Sequence, residues 1–139
     1  MVTLYAHRVS ERDVQILRDG FSRLAEEGYE SLVSLVHPEF EMTTVPGIAA
    51  EPQTYAGLEG FRRWWESFYE VMDEIGVEPS EFHDAGSGRV IVDFVLRATG
   101  QTSGLEVTQH AFMVIHVRDE LMYRIEFFQT LDEARAATA

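Results

Sequence analysis

The chain contains no cysteine, which excludes disulfide bonds, a thiolate nucleophile and any metal site built on sulfur ligands. Basic residues are also scarce: 11 Lys and Arg stand against 24 Asp and Glu, giving a formal net charge of −13. A surface this acidic repels the phosphates of nucleic acids and the anionic headgroups of membranes. No run approaches the ~18 consecutive apolar residues of a membrane span, and the N-terminus has no apolar segment typical of a signal peptide. We therefore expect a cytoplasmic protein with neither nucleic acid nor membrane as a partner.

What the chain does contain is typical of a folded domain. Of its 139 residues, 45% are hydrophobic and 12% are aromatic, which suffices to bury one sizeable core. No internal repeat or linker divides the sequence. We predict a single domain over residues 1–139, with an irregular arm at 1–9 and a short tail at 131–139.

Helical periodicity predicts two helices, with a shorter one between them, in the first half of the chain. The first runs from an N-cap at Ser10, which is followed by acidic residues, to a stop at Gly28. A short second helix over 29–36 ends before Pro38, because proline cannot continue it. The third helix begins after Tyr55. Its apolar stripe has 3-4 spacing and consists of Phe61, Trp64, Trp65, Phe68, Val71, Met72 and Ile75.

The remaining segments have strand patterns. A strand at 41–45 and an aperiodic loop at 48–53 separate the second and third helices. After Gly76 the apolar period changes to two, which predicts a series of antiparallel strands. These strands cover 77–83, 89–99, 105–118 and 121–129, and an Ala-rich end from Leu131 predicts a marginal terminal helix.

Three short segments resemble a known family. Residues 55–64, Tyr-x-Gly-x-Glu-Gly-Phe-Arg-x-Trp, are similar to the entry of the third helix in SnoaL-like proteins. Residues 37–41, His-Pro-Glu-Phe-Glu, resemble their helix-to-strand junction, and 117–128 resembles their final hairpin. The chain thus resembles the SnoaL-like group of the nuclear transport factor 2-like superfamily over most of residues 12–134. The resemblance implies an α+β cone: three helices packed on a strongly curved, mostly antiparallel sheet that encloses an apolar pocket.

The resemblance also indicates which catalytic groups are missing. Matched strand to strand with ketosteroid isomerase, this chain has Phe21, Thr44 and Met113 where that enzyme has a tyrosine and two aspartates. None of these replacements can transfer the required proton. Limonene epoxide hydrolase has an Arg-x-Asp pair where this chain has Ala111 and Met113. Both of these activities are therefore disfavoured.

The same matching implies a small polar group inside the pocket. It directs Arg124, Glu126 and Phe128 inward on the last strand, with Gln109 beside them and Thr44 on the first strand. SnoaL-like cyclases place a basic carboxylate near the position of Glu126. Two interpretations remain open: Glu126 is a general base while Arg124 or Gln109 polarises an oxygen, or Arg124 and Glu126 form a structural ion pair. The expected ligand-binding lining consists of Phe21, Thr44, Trp65, Val92, Phe94, Met113 and Phe128, with the 48–53 loop near the mouth.

Two functions follow, and neither involves a cofactor. In the first, the protein binds a small hydrophobic metabolite in an apolar pocket. In the alternative, it is a small cofactor-independent enzyme of the isomerase, cyclase or hydrolase type. No metal site is expected either. His110 and His116 share a strand, but six residues separate them by ~20 Å, too far to ligate one metal ion.

The long strands are apolar on both sides, which predicts a homodimer. One face packs on the helices, and the other needs a different cover, for which a second subunit is the simplest source. The apolar residues expected on this outer face are Ile91, Val95, Phe112, Val114, Ile125 and Phe127. Its expected polar contacts are Asp93, Arg97, His110 and His116.

Overall fold

The computed structural model describes residues 4–43 and 54–139, with side chains described from residue 11 onward in those ranges. The helices are α1 (Leu4–Glu27), a 3-10 helix (Tyr29–Leu35), α2 (Gly57–Tyr69) and α3 (Leu131–Ala137). The strands are β1 (Val36–Thr43), β2 (Thr54–Ala56), β3 (Met72–Gly86), β4 (Arg89–Gly100), β5 (Glu106–Arg118) and β6 (Leu121–Phe128). Thr44 and the predicted 48–53 loop lie outside the described residues.

The six described strands form one sheet in the order β2-β1-β6-β5-β4-β3. Strands β1 and β6 are parallel, and every other neighbouring pair is antiparallel. Helices α1 and α2 and the 3-10 helix share a core with one side of this sheet, which we call the inner face. The expected fold class is confirmed: α+β, with helices on a curved, mostly antiparallel sheet. Each helix in the described ranges is too short or too polar to span a bilayer.

The opposite side, the outer face, has its own small core. Its four buried residues are Ile91, Phe112, Val114 and Ala134. Helix α3 begins at an N-cap, Thr130, whose hydroxyl accepts a hydrogen bond from the backbone N–H of Glu133 at 3.1 Å. From there it places Ala134 against the sheet. The marginal terminal helix therefore forms, and it covers apolar residues for which the sequence had suggested a second subunit.

Two predicted helix boundaries are wrong. Ser10 is not an N-cap, because α1 already begins at Leu4 and no Gly or Pro interrupts residues 4–9. The predicted arm at 1–9 is thus helical from residue 4. Helix α2 ends at Tyr69, so Met72 belongs to β3 rather than to the helical stripe. The side-chain amide of Gln101 donates to the carbonyl of Tyr69 at 2.7 Å, which satisfies one of the carbonyls exposed where the helix stops.

Candidate functional site

A cavity of about 50 Å³ lies between the inner face of the sheet and the helices. Thirteen residues from α1, the 3-10 helix, α2 and four strands line it: Phe21, Leu24, Leu32, Met42, Phe61, Trp64, Trp65, Val77, Met113, Ile115, Met122, Ile125 and Phe127. It exceeds the ~10–15 Å³ needed for one water molecule but is well below the ~300–1,000 Å³ of drug-sized pockets. No lining side chain is charged or carries a hydroxyl. The cavity therefore suits a small apolar molecule rather than ordered water.

Helix and strand periodicity bring these side chains together. In α2, the spacing of Phe61, Trp64 and Trp65 directs all three rings toward the sheet, and each is buried. In β5, alternation places Met113 and Ile115 on the inner face while their neighbours point to the outer face. The cavity is thus a gap between two apolar surfaces that the sequence pattern produces directly.

The two tryptophans are held by other rings. Trp64 stacks on Phe127 at 5.6 Å between ring centroids and meets Phe68 edge-on at 4.8 Å. Trp65 lies edge-on to Trp64 at 5.0 Å and stacks on Tyr29 at 5.7 Å. Their indole nitrogens are buried, and neither has a hydrogen-bond partner among the described residues.

Tyr29 closes the outer side of this aromatic stack. It is half-buried beneath the exposed ring of Tyr69, whose centroid lies 5.9 Å from its own. Burial, and then the carboxylates of Glu66 and Glu30, raise the pKa of the Tyr29 phenol. The phenol therefore stays neutral at physiological pH, and the ring extends the aromatic wall from the cavity to the surface.

A wider groove of about 590 Å³ runs along the surface between α1 and β3. Phe21 and Val77 line both the groove and the cavity, so these two side chains stand between the two spaces. Phe21 meets Phe82 edge-on at 5.9 Å, and the guanidinium of Arg18 lies over the Phe82 ring at 4.6 Å.

The residues expected to line the pocket fall into three groups. Phe21, Trp65 and Met113 line the cavity. Val92 and Phe94 are buried in the same core but do not border the cavity. Phe128 packs with the outer-face cluster, so its expected position in the pocket is wrong, and Thr44 lies outside the described residues.

The inward orientation expected for Arg124 and Glu126 is also wrong. In β6 it is Ile125 and Phe127 that enter the inner core, so Arg124 and Glu126, which alternate with them, face outward. Consequently Ile125 and Phe127 do not belong to the outer face that was predicted as a dimer surface. Sequence reasoning missed both as cavity residues.

The alternation of charged and apolar residues within β6 itself indicates which of its side chains face the core. Charged Arg124 and Glu126 alternate with Ile125 and Phe127, and a half-buried strand turns its apolar set to the core. Matching by strand to distant relatives reversed this parity. The pairing of β5 with β6 shifts register between His116 and Val117. One extra residue in a strand turns every following side chain to the opposite face of the sheet.

The predicted polar cluster is therefore not assembled in the cavity. On the outer face, Glu126 Oε1 lies 2.8 Å from His116 Nε2, and Arg124 Nη2 lies 3.9 Å from Glu126 Oε2. Gln109 has the inner-face parity of Met113 but does not border the cavity. His110 pairs with Asp93 on the outer face. In the described ranges, no group of three His, Asp or Glu side chains is placed to ligate a metal ion.

Comparison with known proteins agrees with this architecture. A family model described as a SnoaL-like domain matches residues 17–125. No curated protein matches the chain. Among solved structures, a nuclear transport factor 2-like protein from Burkholderia thailandensis superimposes with a TM-score of 0.75 at 20% identity, covering 89% of this chain and 96% of the other.

Two further structures share the fold. A hypothetical protein with a ketosteroid isomerase-like fold from Catenulispora acidiphila gives a TM-score of 0.70 at 12% identity, covering 84% of this chain and 85% of its own. The epoxide hydrolase/cyclase-like enzyme SalBIII also gives 0.70, at 15% identity, covering 88% of this chain and 93% of its own. The family model matches more than half of this chain, and the curved sheet with helices packed on its inner face is present. The chain therefore belongs to the SnoaL-like domain family.

Proposed function

We propose that the protein binds a small hydrophobic molecule in the cavity between α2 and the inner face of the sheet. The observation that carries this proposal is the lining of thirteen apolar or aromatic side chains. Each Å² of apolar ligand surface removed from water there contributes about 25 cal/mol. Phosphorylated ligands would find no cation in the lining, and the net charge of −13 opposes them further.

Binding is favoured over catalysis by the position of the titratable side chains. Catalysis is the alternative, since SalBIII, which shares the fold, is an epoxide hydrolase/cyclase-like enzyme with a role in pyran ring formation in the polyether salinomycin. Proton-transfer chemistry requires an acid or base within hydrogen-bond reach of the reacting atoms. Among the described residues that line the cavity there is no carboxylate, imidazole or phenol. Glu126, the expected general base, lies on the other side of the sheet.

Thermal unfolding with two unlike probes tests the proposal. Toluene should raise the Tm, because a ligand at 100 times its Kd stabilises the folded state by about 2.7 kcal/mol. Glucose 6-phosphate should leave the Tm unchanged. Leu24→Trp places a bulky ring in the cavity and should abolish the toluene effect, whereas Glu26→Trp, on the exposed side of the same helix and outside the cavity and the groove, should retain it. A Tm that responds to the sugar phosphate and not to toluene would contradict the proposal.

We also propose that two copies associate through the outer face. Helix α3 covers Ile91 and Val114, but Val95 and Phe128 remain half-buried there, beside exposed Arg97. These partly covered side chains would gain burial from a second copy. Light scattering at micromolar concentration should give twice the 15.8 kDa chain mass. A mass of one chain would exclude this association.

A further inference from the structure

Phe21 separates the cavity from two neighbouring spaces. It lines the cavity and, together with Val77, the groove between α1 and β3. It also lines a second gap, of about 20 Å³, where α1 meets the 3-10 helix. Among the described residues, Phe21 alone borders all three spaces. Its ring therefore stands where the small apolar cavity adjoins a surface groove of about 590 Å³.

The ring is held in this position from two sides. On α1 the preceding residue is Gly20, where a Cβ would lie 2.9 Å from the side chain of Leu35, so α1 and the 3-10 helix are in close contact at this point. On the sheet side, Phe82 meets the Phe21 ring edge-on at 5.9 Å, and the Phe82 ring itself lies under the guanidinium of Arg18 at 4.6 Å. Displacing the Phe21 ring would break packing on both sides, so it stays between the cavity and the groove.

The two sides of this ring differ in chemistry. No side chain of the cavity lining is charged or carries a hydroxyl, whereas the groove lining includes Gln15, Ser22 and Ser80. A molecule too long for the cavity would have to pass Phe21, and a polar end would then find hydrogen-bonding groups in the groove. With the ring in place, the about 50 Å³ of the cavity leaves no room for such an extension. The length of the ligand is therefore decided at Phe21.

We propose that Phe21 determines the specificity of the cavity by length: its ring admits compact apolar molecules and excludes those that carry a chain or a second ring. The inference rests on the proposed function and narrows it to small molecules without an extended substituent. Removing the ring leaves a space that joins the cavity to the groove. The site then accepts elongated molecules with an apolar body and a polar end.

Phe61 provides the matched control. It is also a phenylalanine of the cavity lining, but it borders neither the groove nor the second gap. Replacing it with alanine removes the same atoms and leaves Phe21 in place. A longer ligand that is accepted after substitution of Phe21 and not of Phe61 has therefore gained a passage rather than additional enclosed volume.

Nuclear magnetic resonance can measure occupancy of the cavity, because three of the five methionines of the chain line it. The methyl groups of Met42, Met113 and Met122 report whether a probe is bound there. Met72, which does not line the cavity, is the internal control. The probes are toluene and 4-phenyl-1-butanol, which share a benzene ring and differ in the length of its substituent.

In the unsubstituted protein, toluene should shift the three cavity methyl signals, and 4-phenyl-1-butanol should bind at least about tenfold more weakly than toluene. Phe21→Ala should bind 4-phenyl-1-butanol at least about tenfold more tightly than the unsubstituted protein does. Phe61→Ala should show no such gain. Phe21→Leu and Phe61→Leu, which remove fewer atoms, repeat the comparison if an alanine variant fails to fold.

Two results would overturn the assignment of Phe21 and leave the proposed function standing. One is 4-phenyl-1-butanol binding to the unsubstituted protein as tightly as toluene. The other is a gain in its affinity at Phe21 that is no larger than the gain at Phe61. Absence of methyl shifts with toluene in the unsubstituted protein would overturn the proposed function and the inference together.

Discussion

The carboxylate of Glu126 lies 2.8 Å from Nε2 of His116 on the adjacent strand, on the side of the sheet opposite the cavity. Their side chains are 30% and 28% exposed, so this is a half-buried cross-strand pair rather than a solvated one. A carboxylate in this position can stabilise the β5–β6 hairpin but cannot reach a molecule held beneath α2. The pair therefore places Glu126 in a cross-strand contact on the outer face, away from the cavity.

Glu126→Gln should lower the free energy of unfolding by about 1 kcal/mol, because a glutamine can still accept a hydrogen bond from the imidazole but loses the charge. Urea denaturation measures this change. Arg124→Gln is the matched control: the Arg124 side chain is 48% exposed and its Nη2 lies 3.9 Å from the carboxylate, so the change should cost less than about 0.5 kcal/mol. Loss of toluene binding in the Glu126→Gln protein would refute the outward placement.

Replacing Phe127 or its neighbour Phe128 with alanine tests which set of β6 side chains faces the core. Phe127 is 5% exposed and stacks on Trp64, so Phe127→Ala should destabilise the protein by about 3–5 kcal/mol. Phe128 is half-buried on the outer face, and its replacement by alanine should cost clearly less. The comparison needs two denaturation curves. Equal losses, or a larger loss at Phe128, would mean that the strand is turned the other way.

Gly60→Ala should destabilise the protein although alanine is the better helix former. A Cβ at this position would lie 2.8 Å from the backbone carbonyl carbon of Tyr55, which cannot move away as a side chain would. Such overpacking costs about 1–3 kcal/mol, more than the gain of about 1 kcal/mol in helix propensity. Gly76→Ala is the control, since nothing lies within 4 Å of its Cβ. A Gly60→Ala protein as stable as the original would show that β2 and α2 are not in this close contact.

The buried carboxyl of Asp13 in α1 predicts a pH dependence of the free energy of unfolding. Burial, and then the nearby carboxylates of Asp84 and Glu120, raise the pKa of Asp13 above its ordinary value of 3.8. A raised pKa in the folded state means that Asp13 favours folding when protonated and that this contribution is lost as the pH rises through the folded-state pKa.

Asp13→Asn should consequently stabilise the protein at pH 7, and the gain should shrink as the pH falls toward 3.8, where the native carboxyl is also protonated. Asp19→Asn, an exposed change on the same helix, should show no such trend. Urea unfolding at pH 7 and pH 4 compares them. A stability difference for Asp13→Asn that does not vary with pH would contradict the assignment.

Local patterns in the sequence predicted most of the fold. The change to period two after Gly76 predicts the series of strands, and the 3-4 spacing of Phe61, Trp64 and Trp65 identifies one buried face of a helix; the structure has both. The motif around Gly60 is explained by its contact with Tyr55, which only a residue without a side chain allows.

The site was less predictable because its geometry depends on long-range register. The alternation within β6 indicates that Phe127 and not Glu126 faces the cavity, but a strand-by-strand match to distant relatives does not include the pairing shift between β5 and β6 and gave the opposite face. Neither Leu32 nor Met42 had been expected to line the cavity, since each comes from an element whose position depends on how the whole sheet curls. Similarly, cover of the outer face by α3 depends on where the chain turns after Phe128.

The most direct test of the account is a crystal structure of the protein soaked with toluene. The account predicts one toluene molecule beneath α2, in contact with Trp64, Trp65 and Met113, with no polar group of the protein displaced. Toluene bound only on the outer face beside Glu126 and His116, or a cavity that stays empty at saturating toluene, would contradict it.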